Sequence, residues 1–132
     1  MAGNGLAAAE RIRRRPEFER IYKEGARIHG RFMTLFVLAN GRTTSRIGVA
    51  ATRKLGAAVE RNRAKRLSRE VFRRNKLAAG LDIVIVPRRE MLDAPFASLE
   101  SDYHAALERR YRERPAPRPA RRDRRPRAAS SV

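Results

Sequence analysis

The chain has 132 residues, enough for one small domain with one core. Thirty-two basic against 14 acidic side chains leave a net charge of +18, which suits an extended anionic partner, nucleic acid ahead of an anionic membrane surface. A hydrophobic fraction of 42% excludes a wholly disordered polycation, and the absence of cysteine excludes disulfides and thiolate metal sites.

No stretch approaches the ~20 apolar residues of a membrane span. The start, MAGNGLAAAE, has no basic n-region, so a secretory signal is not expected. Residues 1–14 read as a flexible lead-in that turns basic at Arg11, Arg13 and Arg14. Pro16 suits a first helical turn and Gly25 a left-handed helix stop. Between them Phe18, Ile21 and Tyr22 share a face, so a short helix is expected over 16–24. A short strand can follow near Arg27–His29. FMTLFVLA (32–39) is a strand apolar on both faces, and Asn40-Gly41 reads as a turn. Residues 46–52 form the next strand. Ile47, Val49 and Ala51 alternate with the small Gly48, Ala50 and Thr52, so 32–52 is expected to be a hairpin. Gly56 marks a break before a basic helix over 61–76. LDIVIVP (81–87) reads as a buried strand. Asp93-Ala-Pro95 opens a last helix, whose stripe of Phe96, Leu99, Tyr103, Leu107 and Tyr111 faces a core. From Arg112 onward four prolines and eight arginines cannot build a core, so 113–132 reads as a disordered basic tail. The domain proper is expected over 15–112. Its class is α+β, a small sheet covered by helices on one face.

The basic helix carries the strongest functional signal. At 100° per residue, Ala64, Leu67, Ser68, Val71 and Phe72 fall on one arc, and Asn62, Arg63, Lys65, Arg66, Arg69, Arg73 and Lys76 on the other. From Arg53 to Lys76 ten cations face two acids, Glu60 and Glu70. A solvated face laced with ion pairs needs acids at i±4, and only Glu70 can serve, toward Arg66 or Arg74. Unpaired cations in such density point to a polyphosphate, which arginine grips through paired N–H bonds. Asn62 has a plainer alternative as the helix N-cap.

The spacing says more than the charge. Arg46-Ile-Gly-Val49, then Arg53-Lys-Leu-Gly-Ala-Ala-Val59, then Arg61-Asn-Arg-Ala-Lys-Arg-Leu67 and Arg69-Glu70 resemble the signature of the bacterial ribonuclease P protein family. Residues 11–25 resemble that family's first helix, and Asp82–Arg88 its last strand, so the likeness covers about residues 11–111. It implies a two-layer α/β sandwich with a mainly antiparallel sheet, order α-β-β(-β)-α-β-α, and a left-handed β-α-β crossover around the basic helix. It implies a cytoplasmic ribonucleoprotein in which a catalytic RNA and its Mg²⁺ ions cleave the 5′ leader from precursor tRNA. The protein binds that RNA and the leader, and can broaden the range of substrates to other small RNAs. No organic cofactor, protein partner or membrane is implied. Arg61, Asn62, Arg63, Lys65, Arg66, Arg69 and Arg73 are then expected to contact the catalytic RNA. Phe18, Tyr22, Phe36, Thr52, Arg53 and Lys54 are expected to contact the leader, with aromatic rings stacking on bases. Plain core packing is the alternative for Phe18, Tyr22 and Phe36.

Two segments depart from the family pattern. Ala50-Ala-Thr-Arg-Lys54 stands where serine–x–serine–lysine–lysine is usual, and Ser68 where an apolar residue is common. His29 and His104 lack partners at ligand spacing and read as surface or packing residues. Glu100 and Asp102 lack a third carboxylate for a metal nuclease. A structural RNA binder of ribosomal type is the rival reading, and a self-sufficient nuclease the second.

Overall fold

The computed structural model describes residues 8–76 and 80–113. Pro16 in the first turn and the Phe18–Ile21–Tyr22 face produce helix α1, Arg15–Glu24. Strands β1 (Ala26–His29), β2 (Met33–Ala39) and β3 (Arg46–Val49) follow. Helix α2 (Ala58–Arg74), strand β4 (Leu81–Pro87) and helix α3 (Phe96–Glu113) complete the domain. The class is α+β, as the element pattern predicts.

Gly25 ends α1 differently from the expected left-handed stop. Its φ is −80°, in the extended region. Glycine is needed there for space, because a Cβ would lie 2.6 Å from the Ile21 carbonyl oxygen and 2.9 Å from that of Val37.

The sheet order is β1-β2-β4-β3. β1–β2 and β2–β4 are antiparallel, whereas β3 runs parallel to β4. The expected 32–52 hairpin therefore does not form, because β4 lies between its two strands. β4 is apolar on both faces, with Ile83 and Ile85 on one and Val84 and Val86 on the other, and only a central position buries both. Asn40 opens a crossing loop rather than a two-residue turn. Its amide donates to Asp82 Oδ1 (2.8 Å) and to the Thr44 carbonyl (3.1 Å), and its Oδ1 accepts from Arg42 N. Ser45 Oγ accepts from Leu81 N at 3.0 Å, tying the far end of the loop to the start of β4.

The main core lies between one sheet face and helices α2 and α3. Met33, Leu35, Val37, Ile47, Ile83 and Ile85 meet Ala64, Val71, Phe72, Leu99 and Tyr103. Each large side chain fully buried there contributes about 1.5–3 kcal/mol. The predicted inner arc of α2 holds: Ala64, Ser68, Val71 and Phe72 are buried and Leu67 is half-buried. Ser68 is accommodated by donating to Met91 Sδ at 3.7 Å. At the turn between β1 and β2, Asp102 of α3 accepts from Arg31 N and Phe32 N, so this carboxylate has a structural task.

The helices do not all lie on one face. α1 crosses the other side of the sheet, where Ile12, Ile21 and Val84 form a second, smaller core with Phe18, Phe36, Leu38, Ala50 and Val86 around it. A buried charge cluster pins α1 down. Arg46 donates to both oxygens of Asp82 (2.9 and 2.7 Å) and to Glu17 of α1 (3.0 Å). Burial alone would push Asp82 and Glu17 up, but hydrogen bonds from Arg46, joined at Asp82 by Asn40, hold both carboxyls below their ordinary values. The Asp82 hydrogen bonds, against the cost of burial, raise Arg46 above its ordinary value.

The lead-in ends earlier than its composition suggests. Arg11 bridges Ile47 along the outer edge of β3, Ile12 N donates to the Ile47 carbonyl at 2.8 Å, and Ile12 is buried. Residues 1–7 and the basic tail from 114 lie outside the described residues.

Candidate nucleic-acid interface

Strand alternation lays out the α1 side of the sheet in rows. Arg27, Phe36, Val84 and Gly48 are in register across the four strands. One row further along lie His29, Thr34 and Val86, with Ala50 continuing from β3. α1 sits over the first row. Phe18 and Tyr22 lie one turn apart, ring centroids 6.3 Å from each other, and Tyr22 meets Phe36 edge-on at 4.9 Å. The three predicted aromatics are therefore brought together, part packed and part open. Phe18 and Phe36 are half-buried against the small core, while Tyr22 is 39% exposed at the rim. Burial pushes the Tyr22 phenol up, so it stays a neutral O–H at physiological pH.

Small side chains on this face of β3 would leave the sheet open to a nucleotide backbone, but at one position the space is taken. Gly48 leaves no open floor, because the Phe18 ring fills its space: a Cβ there would lie 2.6 Å from Phe18 Cζ. Glycine thus seats the aromatic wall. Ala50 stays half-buried beyond it, and Thr52, Arg53 and Lys54 are exposed where the chain leaves β3. The strip has cations at both ends. Arg27 lies 5.9 Å over the Phe36 ring on the β1 side, a contact that period-two alternation in the short first strand could have flagged. His29, expected to be a bland residue, has its Nδ1 3.3 Å from Arg88 Nη2 and 3.4 Å from Thr34 Oγ1.

The basic helix begins earlier than its charge pattern suggested, at Ala58 with Ala57 as N-cap. Asn62 therefore stands inside the second turn, exposed, and is not the cap. Arg63 and Arg66 are exposed beside it, and Lys65 is half-buried. Arg61 bends back to the Gly56 carbonyl at 3.0 Å. Arg69 is half-buried, and burial first, then the nearby Arg11 charge, lowers its pKa. Glu70, the one acid that could serve Arg66 or Arg74 at i±4, takes its hydrogen bonds from another arginine. Glu70 binds Arg73 at i+3 through two bonds of 3.0 and 2.6 Å, which hold the Glu70 carboxyl down and the Arg73 guanidinium up. Arg73 is thus partly spoken for, whereas Asn62, Arg63 and Arg66 face solvent. Lys76 pairs with Glu10 of the N-terminal segment at 2.6 Å. His104 meets Asn75 Oδ1 at 2.6 Å, and Asn75 also reaches Glu100, so these residues join α2 to α3. Among the described residues no group of three or more His, Asp or Glu could hold a metal ion. Nor is any helix among them long and apolar enough to cross a membrane.

Fold and site together define a small α+β domain with a cationic helix on one side of a mixed sheet and an aromatic strip on the other. A family model described as Ribonuclease P matches residues 6–111. The ribonuclease P protein component of Thermotoga maritima is 42% identical over 84 residues, covering 62% of this chain and 72% of its own. That of Chloroflexus aurantiacus is 40% identical over 105 residues, covering 77% and 78%. Among solved structures, the RNase P protein of Thermotoga maritima superposes with a TM-score of 0.68 at 36% identity, over 76% of this chain and 96% of that one. A Staphylococcus aureus RNase P protein mutant with defective mRNA degradation activity gives 0.69 at 30% identity, over 77% and 88%. The chain belongs to the ribonuclease P protein family.

Proposed function

We propose that this protein is the accessory subunit of a ribonuclease P holoenzyme. It binds a catalytic RNA through α2 and the 5′ leader of precursor tRNA through the aromatic strip, and so assists removal of that leader. The observation that carries this reading is the pairing, in one small fold, of two surfaces with different chemistry. Asn62, Arg63 and Arg66, flanked by Arg61, Lys65, Arg69 and Arg73, present donors and charge to a folded polyphosphate. Phe18, Tyr22 and Phe36 offer ring surface to single-stranded bases, and Thr52, Arg53 and Lys54 lie at the end of the same strip for its backbone.

The chain's own part is binding and orientation. Four of the described carboxylates have structural tasks: Asp82 and Glu17 hold Arg46, Asp102 the β1–β2 turn, and Glu70 Arg73. In this reading hydrolysis belongs to the RNA and the Mg²⁺ it holds. By bringing positive charge to the complex, the protein lowers the Mg²⁺ needed, and a sequence-tolerant strip can admit other small RNAs. The holoenzyme is placed in the cytoplasm.

The test is reconstitution with bacterial ribonuclease P RNA and precursor tRNA at low Mg²⁺, with and without the protein. Stimulated cleavage at the mature 5′ end is expected. Salt-sensitive RNA binding without stimulation would instead indicate a structural RNA binder. Cleavage by protein freed of RNA would move the chemistry onto the chain.

A further inference from the structure

Among the described residues, the large hydrophobic side chains left exposed are Tyr22 and Val59, at 39% and 74%. Tyr22 belongs to the aromatic strip. Val59 has no such setting. It stands in the first turn of α2, next to the exposed Ala57 and Ala58, with its side chain in water. Its position on the helix is informative. Val59, Asn62, Arg63 and Arg66 follow at i, i+3, i+4 and i+7, so they form one stripe, and all four are exposed. The knob is thus continuous with the face assigned above to RNA.

We propose that Val59 is an apolar contact for the face of an unpaired nucleobase in the RNA bound by α2. The inference rests on the RNA-binding reading of that helix. The occupant follows from size and charge. One valine and two alanines are far too little surface for a protein partner, which needs about 800 Å² per side. The guanidinium groups beside it select a polyanion. Within an RNA, base faces are accessible only where the strand is unstacked, and there they take up apolar or aromatic side chains. The result is a division of labour along one stripe. Arg63 and Arg66 supply attraction that salt weakens, and Val59 supplies a term that salt leaves alone.

The experiment measures affinity of the full chain for ribonuclease P RNA across a salt series, for wild type, Val59→Ala, Val59→Thr and Arg63→Ala. Alanine is a better helix former than valine, and Val59 is exposed, so α2 is retained; circular dichroism checks this. Val59→Ala is expected to weaken binding about tenfold at every salt concentration, with the slope of log K against log salt unchanged. Val59→Thr, similar in shape but hydroxylated, is expected not to restore it. Arg63→Ala is expected to reduce the slope by about one. Base-specific chemical probing is expected to show one unpaired base protected by wild type and reactive in the Val59→Ala complex. Wild-type affinity in Val59→Ala, or a slope change like that of Arg63→Ala, overturns the inference while leaving the RNA-binding reading intact. Failure of wild type to bind the RNA in a salt-dependent way overturns that reading, and the inference with it.

Discussion

Replacing Asp82 by alanine tests the physical basis of the α1 side of the sheet. Asp82 is 2% exposed, and it takes two hydrogen bonds from Arg46 and one from Asn40. The substitution leaves a guanidinium that is almost as deeply buried with only Glu17 at its Nη1. Removing one partner of such a pair costs about 3–5 kcal/mol, because the desolvated charge is stranded. For a domain of this size each kcal/mol moves Tm by about 4–8 °C, so a fall well above 10 °C is expected in thermal unfolding followed by circular dichroism. A double variant, Arg46→Met with Asp82→Leu, removes both buried charges and is expected to be more stable than the single Asp82→Ala. The pH dependence has a definite sign. Asp82 and Glu17 titrate lower in the folded than in the unfolded protein, so their contribution is complete above the ordinary carboxylate range. It is lost as pH falls through their lowered values. Wild-type Tm should therefore drop on acidification below about pH 4.5, and Asp82→Ala should show a shallower drop. A single variant losing less than about 1 kcal/mol, or a double variant less stable than the single, would show that the cluster does not act as a coupled buried charge network.

Two further predictions concern the aromatic strip. Phe18→Ala combined with Tyr22→Ala is expected to weaken binding of precursor tRNA to the holoenzyme by about 10–100-fold while changing mature tRNA binding little, measured by filter binding; equal losses would reduce the rings to core packing. Gly48→Val puts a branched side chain where Phe18 Cζ already lies within 2.6 Å of a Cβ position, so the ring must move. A stability loss of about 1–3 kcal/mol, with leader affinity falling further than Tm accounts for, is expected in denaturation and binding assays, and an unperturbed variant would show that Gly48 does not seat the wall.

Much of the candidate interface was legible from local pattern. An α-helical period places Ala64, Ser68, Val71 and Phe72 on one arc, and burial of that arc against the sheet forces Asn62, Arg63 and Arg66 outward. Period-two alternation likewise puts Phe36 on the face opposite Leu35 and Val37, and i, i+4 spacing puts Phe18 above Tyr22. These relations need only the chain's own geometry. Periodicity could not say which arginine Glu70 takes, because i+3 and i+4 are both within reach and side-chain rotamers choose between them.

What the amino-acid sequence determined by itself was the inventory: strongly cationic chemistry, the run of helices and strands, the two faces of α2, and a motif spacing shared with one family. Tertiary structure decided what no local pattern could carry. β4 entered between β2 and β3 because a strand apolar on both faces needs neighbours on both edges and cover on both sides. That insertion aligned Arg27, Phe36, Val84 and Gly48 across four strands. It placed Asp82 beside Arg46 and gave Phe18 the gap at Gly48. Contacts between residues far apart in the chain depend on strand order and register. These are set by how the whole core minimises exposed apolar surface, so the aromatic strip existed in the sequence only as parts.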